Sequence, residues 1–260
     1  MKLIRKILVK IIGIKAYLQL ISKIYILLMR LGFFKKKYAE LHFVKELVRP
    51  NDTVLDIGAN LGYYSYFLAK KIQPKGLLIA VEPIPLFADI WKSNMRKWSN
   101  KVQLNLFNIA LGEAESANVK MSIPIVNGVV RHGLTKVDEN NVDQAALSFD
   151  VPMKIGDNIL EGLALQKLNF IKCDVEGYEQ FVMPSLIFSI EKFSPVIQIE
   201  LNGKENKQNV TNFLTEKDYH IHVLQQNKLK EVPIEEINIF NQDFYFIHAS
   251  KLSEYKTILN

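Results

Sequence analysis

Cysteine is almost missing: Cys173 stands alone in 260 residues. One thiol excludes an internal disulfide and a cysteine-rich zinc site, and it fits a reducing compartment, so the expected location is the cytoplasm. Histidine is scarce as well. Of five, His42, His220, His222 and His248 show no metal-ligand spacing, and no metal site is expected. Internal repeats and long low-complexity linkers are absent. Long uncharged runs are lacking too: the longest in the basic N-terminal stretch is the seven residues from Ala16 to Ser22. A bilayer-spanning helix needs about 20 mostly apolar residues, so that stretch reads as a poor transmembrane segment. A secretory signal fits badly, since Lys15 and Lys23 interrupt the apolar region and no small-residue cleavage site follows.

Acidic residues are absent from positions 1 to 37, which hold ten of the 33 Lys and Arg. That leaves 23 basic against 27 acidic residues in the rest, a net of −4, although the whole chain carries +6. The basic surplus belongs to one segment and not to a phosphate-tracking surface, so no nucleic-acid partner is expected. Within it Lys15, Gln19, Ser22, Lys23 and Arg30 fall on one helical stripe opposite Leu, Ile, Tyr and Met. This pattern predicts a helix lying on an anionic membrane surface, hinged near Gly13. The competing reading is a helix packed on the domain or on a second copy, with its lysines in water.

Beyond residue 37, short apolar runs alternate with helical patterns, which predicts an open, largely parallel sheet with helices on both faces. Strands are expected at 53–57, 77–82, 102–107, 168–173, 195–201, 219–225 and 242–248, and helices near 62–72, 86–98, 178–190 and 205–217. No useful helix separates the last two strands, and Pro233 lies between them, so an antiparallel pairing at the sheet edge follows. Residues at about 113–157 break the rhythm. There ANVKMSIP and AALSFDVPMKI read as strands around a polar stretch with Asn127, Gly128, His132 and Gly133, an insertion over the carboxyl ends of the main strands. The expected division is therefore 1–37, a basic amphipathic segment, and 38–260, the α/β domain.

The strongest local signal is VLDIGANLGYYSYFLAKK. A buried strand ends at Asp56, a Gly58-Ala59-Asn60-Leu61-Gly62 turn follows, and a helix begins at once. Gly58 permits the sharp turn and Gly62 the close packing at the helix start, where free N–H groups attract a carboxylate. Glu82 ends the second strand, where a carboxylate can grip two ribose hydroxyls. A nicotinamide-dependent oxidoreductase shares this layout, but its GxGxxG fingerprint needs glycine where Asn60 and Tyr63 stand.

These motifs, with AVEPIP at 80–85, NIALGE at 108–113, FIKCDVEGYE at 170–179 and VIQIEL at 196–201, resemble the FkbM family of methyltransferases across about residues 50–205. The resemblance implies a Rossmann-like class I methyltransferase fold, seven-stranded with an antiparallel last strand, and S-adenosylmethionine as cofactor. It implies cofactor binding through Asp56, Gly58, Asn60, Gly62 and Glu82, with Asn108 and Ala110 near the adenine. It also implies O-methylation, with a sugar hydroxyl of a glycan or glycolipid as acceptor. The family often has Leu-Asp where this chain has Gly156-Asp157, which puts the local packing there in question.

For the chemistry, Asp174 and Glu176 end the fourth strand and are candidates to accept the acceptor's hydroxyl proton, or to hold a cation. The structural alternative has Asp174 fixing the loop and Glu176 capping the next helix. Glu179 reads as a first-turn helix carboxylate. Glu200 and the insertion's His132 are the further polar candidates. A catalytically silent fold used as a membrane interaction module is the reading from another class; the acids at 56, 82, 174 and 176 count against it.

Overall fold

The computed structural model describes residues 2–126, 129–130, 136–137 and 146–260. Helices α1 (Lys2–Arg30) and α2 (Ala39–Leu47) lead into β1 (Thr53–Ile57), α3 (Tyr63–Ile72), β2 (Leu77–Val81), α4 (Pro85–Met95) and β3 (Gln103–Phe107). Then come β4 (Ala110–Leu111), β5 (Ser116–Val126), β6 (Val129–Val130), β7 (Lys136–Val137), β8 (Ala146–Lys154) and α5 (Gly156–Glu161). The chain continues through β9 (Phe170–Cys173), α6 (Glu179–Val182), α7 (Ile187–Phe193), β10 (Val196–Glu200), α8 (Lys204–Thr215), β11 (Tyr219–Gln225), β12 (Lys228–Glu231) and β13 (Asp243–His248).

The main sheet runs β12-β11-β13-β10-β9-β1-β2-β3. Pairings β1–β2, β2–β3, β1–β9 and β9–β10 are parallel, and β13 lies antiparallel between β10 and β11. All seven expected strands form, with the reversed strand where the sequence placed it. Alternation along each strand divides the core. Leu55, Ile57, Ile171, Cys173 and Ile197 face α5 to α8, while Val54, Ala80, Phe170 and Val196 face α2, α3 and part of α4. Chain order reverses between β1 and β9, so the crevice at their carboxyl ends is the switch point where such sheets bind ligands.

An eighth strand, β12, extends the edge. Gln226 (φ 50) and Asn227 (φ 62) form a two-residue hairpin turn with both residues left-handed, and KLKE pairs back on β11. Only Leu229 of that strand is buried, held by the backbone of Ile258 and Asn260, so it carries no alternating signal. A second sheet follows β3, in the order β4-β8-β5-β6 with β7 also on β5. Its Met121, Ile123, Val151 and Met153 pack with Leu61 and Ile84, in the turns after β1 and β2.

Helix α1 breaks at Gly13, whose backbone (φ 76, ψ 161) is non-helical. By length and composition Ile7–Arg30 is long and apolar enough to cross a membrane, with a mean hydropathy of 1.6. Yet three of its polar side chains turn onto α4. Lys15 Nζ donates to Asp89 Oδ2 at 2.6 Å, Gln19 Nε2 to Ser93 Oγ at 2.5 Å, and Asn94 Nδ2 to Ser22 Oγ at 2.9 Å. Tyr17, Leu18, Ile26 and Met29 are buried on the same side.

Candidate active site

The turn after β1 is built by backbone geometry before any ligand enters. Gly58 (φ 75), Asn60 (φ 49) and Gly62 (φ 86) are all left-handed. A Cβ on Gly58 would stand 1.9 Å from the carbonyl oxygen of Asp174, which excludes a side chain there, and one on Gly62 would press on Trp91 at 3.0 Å in left-handed backbone, so a side chain there is strained. Gly58 N and Ala59 N donate to Val81 O, each at 3.0 Å, bending the turn toward β2. There Glu82, almost wholly buried, takes Asn60 N–H on Oε2 at 2.7 Å and Ile84 N–H on Oε1 at 2.8 Å. Burial pushes its pKa up to about 7 against the pull of those two donors.

Asp56 lies beneath. Its Oδ2 accepts from Ser65 Oγ at 2.5 Å, and Ser65 in turn accepts from Trp91 Nε1 at 2.6 Å, which ties β1 to α3 and α4. Burial raises its pKa to about 6. These contacts are made to α3 rather than to the Gly58–Gly62 turn itself. Asn108 Nδ2 donates to the carbonyls of Glu82 and Pro83 at 2.7 and 2.8 Å, bracing the strand end, and Ala110 is buried among Leu61, Ile84 and Met153.

On the other side of the crevice, Asp174 N donates to Ile57 O at 3.0 Å, so β9 ends level with the turn. The following loop carries Glu176 (φ 58) and Gly177 (φ 100) in left-handed backbone. Glu179 shapes it: this fully buried carboxylate accepts from Val175 N (2.9 Å), Gly177 N (3.1 Å) and Asn206 Nδ2 (2.6 Å). The expectation that Glu179 serves as a first-turn dipole partner understates it; Glu179 is the knot of the loop. At the residue where the helix starts, Tyr178, no side-chain cap forms. Gly156 fits where a Cβ would strike Leu186 at 2.5 Å, and Asp157 accepts from Phe188 N and Ser189 N at the head of α7. This resolves the departure at 156: Leu186 fills the space a larger residue would take.

Read as a whole, residues 56–226 match the family description "Methyltransferase FkbM domain". The chain belongs to the FkbM methyltransferase family. Among curated proteins it is 26% identical over 117 residues to a protein-L-isoaspartate O-methyltransferase of Methanopyrus kandleri, covering 45% of this chain and 50% of that one. It thus spans about half the length of that relative. Among solved structures, an FkbM methyltransferase of Methylobacillus flagellatus superposes with a TM-score of 0.47 at 15% identity, over 75% of this chain and 43% of the other. Aeropyrum pernix fibrillarin, solved with natively bound S-adenosyl-L-methionine, gives 0.43 at 10% identity over 80% and 73%.

S-adenosylmethionine is the methyl donor of FkbM methyltransferases, and the residues present fit it. No side chain caps the start of α3, so its first-turn N–H groups could receive a carboxylate such as that of the methionine moiety. Each Glu82 oxygen keeps a lone pair beyond its backbone donor, enough for the ribose hydroxyls.

Sequence reasoning missed a buried cation beside the acidic loop. Lys172, only 1% exposed, lies 3.7 Å from both Asp174 Oδ2 and Asp243 Oδ2 and 5.0 Å from the Tyr64 ring centroid. Burial works against its charge, but Asp243, Asp174 and Glu200 outweigh it and hold its pKa above the usual lysine range. Gln198, its register partner on β10, donates to Asp243 Oδ2 at 2.7 Å and Tyr64 OH at 3.1 Å. A Lys and a Gln inside the apolar runs FIKC and VIQIE were the available signal. Glu200 stands beside this cluster, its pKa raised by burial and then by Asp174. Among the described residues no group of three His, Cys, Asp or Glu is arranged to hold a metal ion. His132 lies outside the described residues.

Proposed function

We propose that this FkbM chain methylates a hydroxyl oxygen of a sugar or related metabolite in a glycan or glycolipid pathway. The observation that carries the reading is the meeting of Gly58 and Asp174 across the switch point, joined by the Asp174 N to Ile57 O bond. It sets an acidic loop beside the turn that would hold the donor. When bound, S-adenosylmethionine supplies an electrophilic methyl on a sulfonium. The Gly58–Gly62 turn, α3 and Glu82 orient it, with Asn108 and Ala110 on the adenine side. Asp174 or Glu176 would accept the proton of the acceptor hydroxyl, positioned beside the turn that would hold the donor. Lys172, 3.7 Å from Asp174 Oδ2, would steady that side chain. The enzyme would work in the cytoplasm, peripheral on the inner face of the membrane through residues 1–37.

Calorimetry with S-adenosylhomocysteine tests the site. Glu82→Ala removes bonds to a charged acceptor worth roughly 1.5 to 3 kcal/mol, so affinity should fall about tenfold to a hundredfold. Unchanged affinity would sink the assignment of β2 to the ribose. The acceptor class is read from product made with labelled donor: a sugar methyl ether survives mild base, whereas a methyl ester is hydrolysed. Base-labile label would overturn the hydroxyl reading in favour of carboxyl methylation.

A further inference from the structure

The contacts of α1 fix which of its sides meets the domain. Lys15, Gln19 and Ser22 bond to α4, and the buried residues Leu18, Ser22, Ile26 and Met29 share that side. Leu20, Ile24, Leu27 and Leu31, spaced by four, three and four, form a stripe on the opposite side and are all exposed. Ile11 (72% exposed) and Phe33 (55%) extend the surface at either end. Of the eleven large apolar side chains exposed among the described residues, nine belong to residues 1–37. A water-facing patch of this kind marks an interaction surface.

Charge identifies the partner. Lys10, Lys23, Arg30, Lys35, Lys36 and Lys37 are exposed around the stripe, and no acid occurs in this segment to balance them. A protein groove would need apolar walls with an acidic rim, and a second copy would set these six cations against their own kind. An anionic bilayer offers hydrocarbon and negative headgroups together. A helix inserted across the bilayer would forfeit the three polar contacts to α4, whereas one lying flat keeps them.

We propose that the outward stripe of α1 seats this protein in the plane of an anionic lipid surface while the inward side stays locked to the catalytic domain. The proposal deepens the peripheral placement of residues 1–37 by naming the face that touches lipid. The same helix reaches the cofactor turn: Tyr25 stands 6.4 Å, ring to ring, from Tyr63, the residue after Gly62, and Tyr17 and Leu18 pack with Leu61 and Ile84. Seating α1 on the bilayer thus brings the cofactor turn close to it, where a lipid-linked polyol would be the acceptor.

The test is co-sedimentation of the full chain with vesicles of phosphatidylglycerol and phosphatidylcholine, or of phosphatidylcholine alone. Wild type should partition onto the anionic vesicles and come off in about 1 M salt, where the screening length is about 3 Å. The variant Leu20→Glu/Ile24→Glu/Leu27→Glu should lose about tenfold or more of that partitioning while binding S-adenosylhomocysteine as wild type does. Equal partitioning of the two proteins would overturn the assignment of the face, and retention at high salt would overturn flat seating in favour of insertion. A wild type that ignores vesicles but dimerises through the stripe, becoming monomeric in the triple variant, would make the partner a second copy and overturn the proposal. Failure of wild type to bind S-adenosylhomocysteine would strike the methyltransferase reading alone, because vesicle binding is scored separately.

Discussion

Asp174 and Glu176 adjoin Val175 and Gly177, whose N–H groups Glu179 holds, so their positions are set by backbone that a conservative substitution leaves in place. Asp174→Asn keeps the shape of the side chain, and Lys172 retains Asp243 as its counter-ion. Asp174→Asn and Glu176→Gln should therefore each bind S-adenosylhomocysteine normally. If either carboxylate takes the hydroxyl proton, its loss should slow turnover by about 10²- to 10⁴-fold. A metal-free proton acceptor also predicts that EDTA leaves wild-type turnover unchanged, whereas a cation site would lose activity to the chelator and regain it with Mg²⁺. Near-normal turnover in both variants would move the role to Glu200 or His132. Lys172 shows why one residue's chemistry depends on strands far apart in sequence: its partners Asp174 and Asp243 come from β9's own end and from the inserted β13.

At the scale of elements, the close approach of the β1 turn to the end of β9 sets what glycine does. Gly58 and Gly177 are both left-handed, at φ 75 and 100, but only Gly58 faces backbone where its Cβ would stand; around Gly177 nothing lies within 4 Å. Gly177→Ala should cost little beyond backbone strain, about 1 kcal/mol, whereas Gly58→Ala must also push β9 away from β1 and should cost several times more. Denaturant midpoints compare them directly. Equal losses would mean that β1 and β9 are not held as close as the Asp174 carbonyl indicates. The edge hairpin β11–β12 is an element of another sort: its turn residues Gln226 and Asn227 lack the usual glycine, and its strand is mostly charged. Pairing with β11 and the chain terminus, rather than its own pattern, makes it a strand.

For the whole molecule, burial of carboxylates around the glycine turn after β1 makes stability depend on pH. Glu82 titrates near pH 7 in the folded chain against an ordinary 4.5, and Asp56 near 6 against 3.8. The folded state therefore holds more protons than the unfolded one between those values, so this contribution is full at low pH and is lost as pH rises toward 7. His42 and His222, whose pKa values burial lowers, work in the opposite direction around 6.5. A difference measurement separates them. The thermal midpoint of the cofactor-free wild type, taken relative to Glu82→Gln, should fall steadily from about pH 4.5 to about pH 7. A difference that does not change across this range would show that Glu82 is not held protonated by burial.

Much of this protein is decided locally. Buried five-residue strands, the glycine turn after Asp56, and the acids closing β2 and β9 are written in consecutive residues, because strand alternation and left-handed turns are properties of short stretches. From them the sheet, its reversed strand and the edge that carries the site are all legible in the sequence. The face of α1 that meets the domain is not, since Lys15, Gln19 and Ser22 satisfy themselves only once Asp89, Ser93 and Asn94 of α4 are alongside. The Lys172–Asp243 pair and the Glu179–Asn206 bond likewise join residues far apart in the chain, and whether a buried charge is neutralised depends on which strands become neighbours. Local pattern determined the strands and the glycine turn; long-range pairing decided which polar groups support the structure, and which apolar ones were left facing out.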